Sequence, residues 1–268
     1  MTTPIPAPRP WILREINYGF IKDNPYQVAV LAMGATEPHN LHLPYGTDAF
    51  EGEAIGSGAC ELAWQRGAKV VLLPTMPYGT ETNMMEFPMA MNLNPSTLTR
   101  VITDIVDSLA KHKVFKLLIL NSHGGNDFKP VLRELTDKTP VKMFLCEWYR
   151  GMAAELTAKI FENSDDHAGE VETSLIQFLK PHLVATNPLT GKIAADDGMV
   201  AKSRFDAVNK GWVTLTRPWH LLTTNSGSGN PHKASAEKGR AFFERLTERL
   251  AGFLVELAES PLDEKFPF

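Results

Sequence analysis

The chain has 268 residues, 43% apolar and 22% charged, with a formal net charge of -4. That much apolar surface excludes a disordered chain, and 19 Gly with only two Cys exclude collagen-like and disulfide-framework chains. The balance of 27 Lys+Arg against 31 Asp+Glu gives no electrostatic pull toward nucleic acid.

Residues 1–10 carry four prolines and no apolar stretch, so no secretory signal is expected there. Nowhere does an apolar run approach the roughly 20 residues of a membrane helix, and the chain is expected to be cytoplasmic and free of membrane. Residues 28–34 (VAVLAMG), 69–73 (KVVLL), 116–120 (KLLIL) and 141–146 (VKMFLC) are short runs, apolar on both faces. Such runs suit central strands of a parallel sheet covered by helices. Helices are expected between and after them, over 50–66, 95–112, 128–137 and 172–179. The second opens on Asn94-Pro95-Ser96 and spaces Leu98, Val101, Ile102, Ile105 and Leu109 at helical intervals. Residues 185–232 hold Gly, Pro, Asn and Asp clusters and read as loops, with a short strand around 212–215. A long amphipathic helix is expected over 233–257. The alternation of strand and helix defines an α/β fold, and the absence of a repeat or low-complexity linker favours a single domain over 1–268.

The candidate chemistry follows the strands. Glu37-Pro38-His39-Asn40-Leu41-His42 comes directly after the first, and extended backbone would turn Glu37 and His39 to one face. Asp48 returns after a Pro and a Gly that can reverse the chain. Asn121-Ser122-His123-Gly124-Gly125-Asn126 follows the third strand, so His123 also stands at a carboxyl end, where open α/β sheets bind ligands. A third cluster, Asp165-Asp166-His167-Ala168-Gly169-Glu170-Val171-Glu172, precedes a helix. Capping accounts for one or two acids there but poorly for His167 and two further carboxylates. Carboxylate and imidazole without thiolate suit Zn, Mn or Fe, and three carboxylates with a bridging hydroxide would balance two such ions. Hydrolysis is the implied reaction. Cys60 and Cys146 stand far apart, outside any Cys-x-x-Cys pair, and are expected as buried thiols of a reducing compartment. Met84, Met85, Met89 and Met91 with Phe87 would serve core, pocket or interface, and Trp148 and Tyr149 follow the fourth strand within reach of the site.

Glu37-Pro38-His39, His42-Leu43-Pro44, Gly46-Thr47-Asp48, Asn121 to Asn126 and His167-Ala168-Gly169-Glu170-Val171-Glu172-Thr173-Ser174 occur in one order that resembles the creatininase (creatinine amidohydrolase) family. The resemblance implies a three-layer α/β/α sandwich with a mostly parallel sheet, two divalent metal ions, and opening of a C–N amide-type bond, non-peptide in the reading favoured here. It further implies that Glu37 and His123 bind one metal, His39 the other, and that Asp48 bridges them. Members acting on creatinine carry His-Tyr-Glu where this chain has His123-Gly124-Gly125, so one acidic ligand is missing. Glu170 is expected to replace it, leaving Glu172 and His167 as catalytic groups, with Glu172 acting on protons. Creatinine is therefore not the expected substrate. A small cyclic amide, formamide or similar C–N compound is, acted on by a homo-oligomer for which the family suggests a hexamer. The alternative is a silent or weakly active member that binds a metabolite or a partner. Two bound divalent ions would nearly cancel the charge of -4.

Overall fold

A computed structural model describes residues 8–163 and 167–268. Asp165 and Asp166 of the third acidic cluster lie outside the described residues. The strands β1 (Val28–Met33), β2 (Val70–Leu72), β3 (Lys116–Asn121) and β4 (Lys142–Glu147) form one sheet in the order β2-β1-β3-β4. All three pairings are parallel. The helices are α1 (Tyr18–Asp23), α2 (Thr47–Gln65), α3 (Pro95–Lys111), α4 (Lys129–Leu135), α5 (Gly151–Ile160), α6 (Glu170–Leu179), α7 (Asp206–Asn209), α8 (Trp219–Leu222) and α9 (Ala236–Glu259).

β1 shows why the sheet is covered on both sides. Its six residues are all buried, and alternate side chains enter different cores. Val28, Val30 and Ala32 pack with Ile55 and Ala59 of α2 and with Phe242, Leu246 and Leu250 of α9. Ala29, Leu31 and Met33 face Leu98, Ile102 and Val106 of α3 and Val131 of α4. Helix, sheet and helix make the three layers expected, with each large apolar side chain contributing roughly 1.5–3 kcal/mol on burial. The chain leaves β1 toward β2 on one side, while β3 lies on the other. The gap between the carboxyl ends of β1 and β3 is thus the point where the strand order reverses, a natural crevice for a ligand.

Two expectations fail locally. Residues 212–215 form no strand; Trp212 is 75% exposed, and Val213 and Leu215 are exposed too. β-branched and aromatic residues favour a strand only where a partner edge accepts them, and none pairs here. Helix α5 was not among the expected elements, although its Ala153 and Leu156 are buried against the α9 side. The long terminal helix starts three residues later than expected, capped by the Ser235 side chain, which accepts from the Lys238 N–H. At α3, Pro95 occupies the first turn as expected, but the Asn94 side chain caps nothing and accepts from Asn92 instead. No helix among the described residues is long and apolar enough to cross a membrane.

Candidate metal centre

After β1 the chain passes close against the start of α2 at Gly34, where a Cβ would meet the Ala49 backbone at 2.6 Å. That close approach brings Asp48, in the first turn of α2, beside Glu37 and His39. Asn40 adopts a positive φ of 54°. Asn tolerates this left-handed conformation better than most side chains. Its backbone N–H donates to Ser226 Oγ and its side chain to the Asp196 carbonyl, which ties the loop to the 185–232 segment.

His39 is fully buried, with Nε2 2.9 Å from Asp48 Oδ1 and Nδ1 3.1 Å from the Glu37 carbonyl. The carbonyl fixes Nδ1 as the donor and leaves Nε2 for the site. His123, at the end of β3, directs Nδ1 to Glu37 Oε1 and Asp48 Oδ2, each at 3.0 Å. His167 stacks on His39 with ring centroids 4.2 Å apart and meets the edge of Trp219 at 5.2 Å. Its Nε2 donates to the Pro38 carbonyl at 2.9 Å, so Nδ1 is the bare nitrogen, 3.8 Å from Glu37 Oε1.

Three overlapping groups of side chains converge closely enough to hold an ion: Glu37, Asp48 and His123; His39, Asp48 and Glu172; and Glu37, His39 and His167. Asp48 belongs to two of them. Glu172 is the most exposed of these ligands, the others being buried, and it also accepts from the Ala168 N–H.

The structure separates the two acids of α6, Glu170 and Glu172. Glu170 is not brought to the site. Its oxygens accept from Lys238 Nζ at 2.5 Å, from the Glu162 and Asn163 N–H groups and from the Asn163 side chain. A buried carboxylate so fully satisfied is a structural anchor between α6 and α9, and it has no oxygen left for a metal. Glu172, expected to act on protons, is the acid of α6 that joins His39 and Asp48.

Two further acids stand at the site without having been anticipated. Glu51 lies one helical turn beyond Asp48, fully buried, and neither oxygen has a hydrogen-bond partner. Glu81, after β2, is equally buried, with Oε1 2.5 Å from His123 Nε2 outside hydrogen-bond geometry. The i,i+3 spacing from Asp48 could have indicated Glu51. Glu81 was hidden because its loop carries no His or adjacent acidic pair, although β2, parallel to β1, ends on the same edge of the sheet.

The electrostatics favour a cation. Burial opposes charge on Asp48, yet His39 and the hydrogen bonds from His123 and His39 hold its pKa well below the usual carboxylate range. Burial likewise works against charge on His39 and His123, and the surrounding carboxylates, Asp48 foremost for His39 and Glu37 for His123, raise both well above 6.5. His167 differs: burial and the neighbouring His39 lower its pKa and keep it neutral. Glu51 is pushed far up by burial, then by Glu172 and Asp48. Unpartnered oxygens on Glu51 and Glu81, with carboxylates outnumbering imidazoles, make a donor set that fits hard or borderline divalent ions.

The remaining candidates are structural. Trp148 is buried in the core and donates to Ser122 Oγ at 2.9 Å, while the Tyr149 hydroxyl donates to the His123 carbonyl at 3.2 Å. Met84 is core beneath Trp219, whereas Met85 and Met89 are exposed. Cys60 is buried and Cys146 half-buried, both free thiols.

An α/β sheet carrying a buried carboxylate–imidazole cluster at its reversal point defines an open α/β scaffold with a candidate metal centre. The creatininase family profile, described as creatinine amidohydrolase, matches residues 19–254, and the chain belongs to that family. A crystal structure from Bacteroides fragilis NCTC 9343, named for creatinine amidohydrolase, superposes with a TM-score of 0.86 at 36% identity, covering 95% of this chain and 99% of that one. The mycofactocin precursor peptide peptidase of Mycobacterium ulcerans (strain Agy99) is 24% identical over 244 residues, 87% of this chain and 86% of its own. A creatininase structure named for Mn, 22% identical with a TM-score of 0.73 over 94% of this chain and 100% of that one, shares the fold.

Proposed function

We propose that this chain is a metal-dependent amidohydrolase that opens a C–N bond of a small polar or peptide-like substrate. The observation that carries the proposal is the position of Asp48, whose two oxygens face two different imidazoles, His39 at 2.9 Å and His123 at 3.0 Å. One ion would be held by Glu37, Asp48 and His123, the other by His39, Asp48 and Glu172. Bound divalent ions supply acidified water and a polarised carbonyl in such a site.

The protein's own groups do the rest. His167, pinned by its Nε2–H to the Pro38 carbonyl, presents a neutral Nδ1 beside Glu37 and is the group placed to take or return a proton. Glu172, the most exposed ligand, marks the side from which substrate enters. Because Glu172 completes the second group, the missing acid at Gly125 no longer argues for a silent protein. The restriction to non-peptide bonds is dropped, since one relative is named a peptide peptidase and another for creatinine amidohydrolase.

Assaying the Mn- and Zn-loaded protein on cyclic amides, formamides and short peptides tests this reading. Turnover of at least one class, abolished by a chelator and by His123→Ala, is expected. A fully metal-loaded protein inert on all three would overturn it.

A further inference from the structure

We infer that Glu81 is a positioning residue for His123, supplying from the loop after β2 a carboxylate that the segment following His123 lacks. The inference rests on the proposed metal centre and concerns the far side of one of its ligands. His123 turns Nδ1 toward Glu37 and Asp48, so Nε2 must carry the proton if Nδ1 is to bind an ion. Two acceptors wait for it: the Thr80 carbonyl at 3.1 Å and Glu81 Oε1 at 2.5 Å. Glu81 is fully buried, and among the described residues no donor meets either oxygen in hydrogen-bond geometry, His123 Nε2 standing 2.5 Å from Oε1. A buried carboxylate without a partner is costly, and the Nε2–H of His123 stands close enough to offset that cost.

The surrounding backbone is built around this contact. The Thr80 N–H donates to Asn126 Oδ1 at 3.0 Å, the Glu81 N–H donates to Asn92 Oδ1 at 2.8 Å, and the Asn126 side chain donates to Asn121 Oδ1. The first and third bonds lash Thr80 onto the loop that carries His123, and the second fixes Glu81 to Asn92. Gly125 is the consequence: a Cβ there would lie 2.4 Å from both His123 Nε2 and the Thr80 carbonyl. The place an acidic side chain at 125 would need is filled by the Thr80–Glu81 segment, which brings its own acid. A ligating imidazole whose other nitrogen is held by a carboxylate is fixed in orientation and is more basic toward the metal.

The test is metal titration of the chelator-treated protein with Mn2+ and Zn2+, together with long-range 1H–15N spectra that report which His123 nitrogen carries the proton. Glu81→Ala is expected to weaken one of the two ions by about 10–100-fold and to leave His123 as a mixture of tautomers. Glu81→Gln, which keeps shape and one acceptor, should retain the tautomer and fall between Ala and wild type in affinity. Wild-type affinity and a single unchanged tautomer in the folded Ala variant would overturn the inference while leaving the metal centre standing. If the Ala variant does not fold, wild-type affinity in Glu81→Gln overturns it equally. A wild-type protein that takes up neither ion removes the metal centre and this inference with it.

Discussion

The two acids of α6, two residues apart, have opposite fates. Glu170 is locked into a structural ion pair with Lys238 of α9, while Glu172 reaches His39 and Asp48. The difference teaches that a carboxylate becomes available to a ligand by what its neighbours fail to satisfy. Glu170 has four donors around it, whereas Glu51 and Glu81 lie buried without a hydrogen bond.

The largest effect expected anywhere in the protein is at Asp48, because both groups share it. Asp48→Asn should abolish stable binding of both ions, a loss beyond the ~10–100-fold that outer partners are worth, read by elemental analysis of the dialysed protein. Glu172→Gln sharpens the contrast, lowering stoichiometry by one ion while the Glu37, Asp48 and His123 group stays loaded. Glu170→Gln should leave metal content unchanged and instead lower stability by ~1–3 kcal/mol through the broken pair with Lys238, read by thermal or denaturant unfolding. Metal loss from Glu170→Gln with none from Glu172→Gln would invert the assignment.

The last effect expected is a pH slope, felt only on the acid side. His42, buried with Nε2 2.8 Å from Thr173 Oγ1, has its pKa lowered to about 4 by burial and then by His39 and His232. Unfolded, it titrates near 6.5, so between pH 6.5 and 4 the unfolded chain holds a proton that the native chain does not. Stability from this group is therefore full above 6.5 and is lost as the pH falls toward 4. His42→Gln should flatten the acid limb of the stability curve by up to ~3 kcal/mol over that window. An unchanged slope would show that His42 is not held neutral.

Much of this was legible in the residues. Four apolar runs marked four parallel strands, and Glu37, His39, Asp48 and His123 were found because strand ends and short spacings place them together whatever the distant packing. The choice between Glu170 and Glu172 was not legible, since it depends on Lys238, 68 residues away in the chain. Glu81 was hidden for a similar reason: its partner His123 comes from another loop, and only packing against Gly125 brings them together. At 212–215 local propensity pointed to a strand, and the lack of an edge to pair with decided otherwise.

The most direct measurement is an anomalous-scattering map of crystals grown with Mn2+ or Zn2+. Two peaks flanking Asp48 are predicted, one bounded by Glu37 and His123 and the other by His39 and Glu172, with none at Glu170. A single peak away from Asp48, or no peak in protein shown to be folded and supplied with metal, would contradict the account.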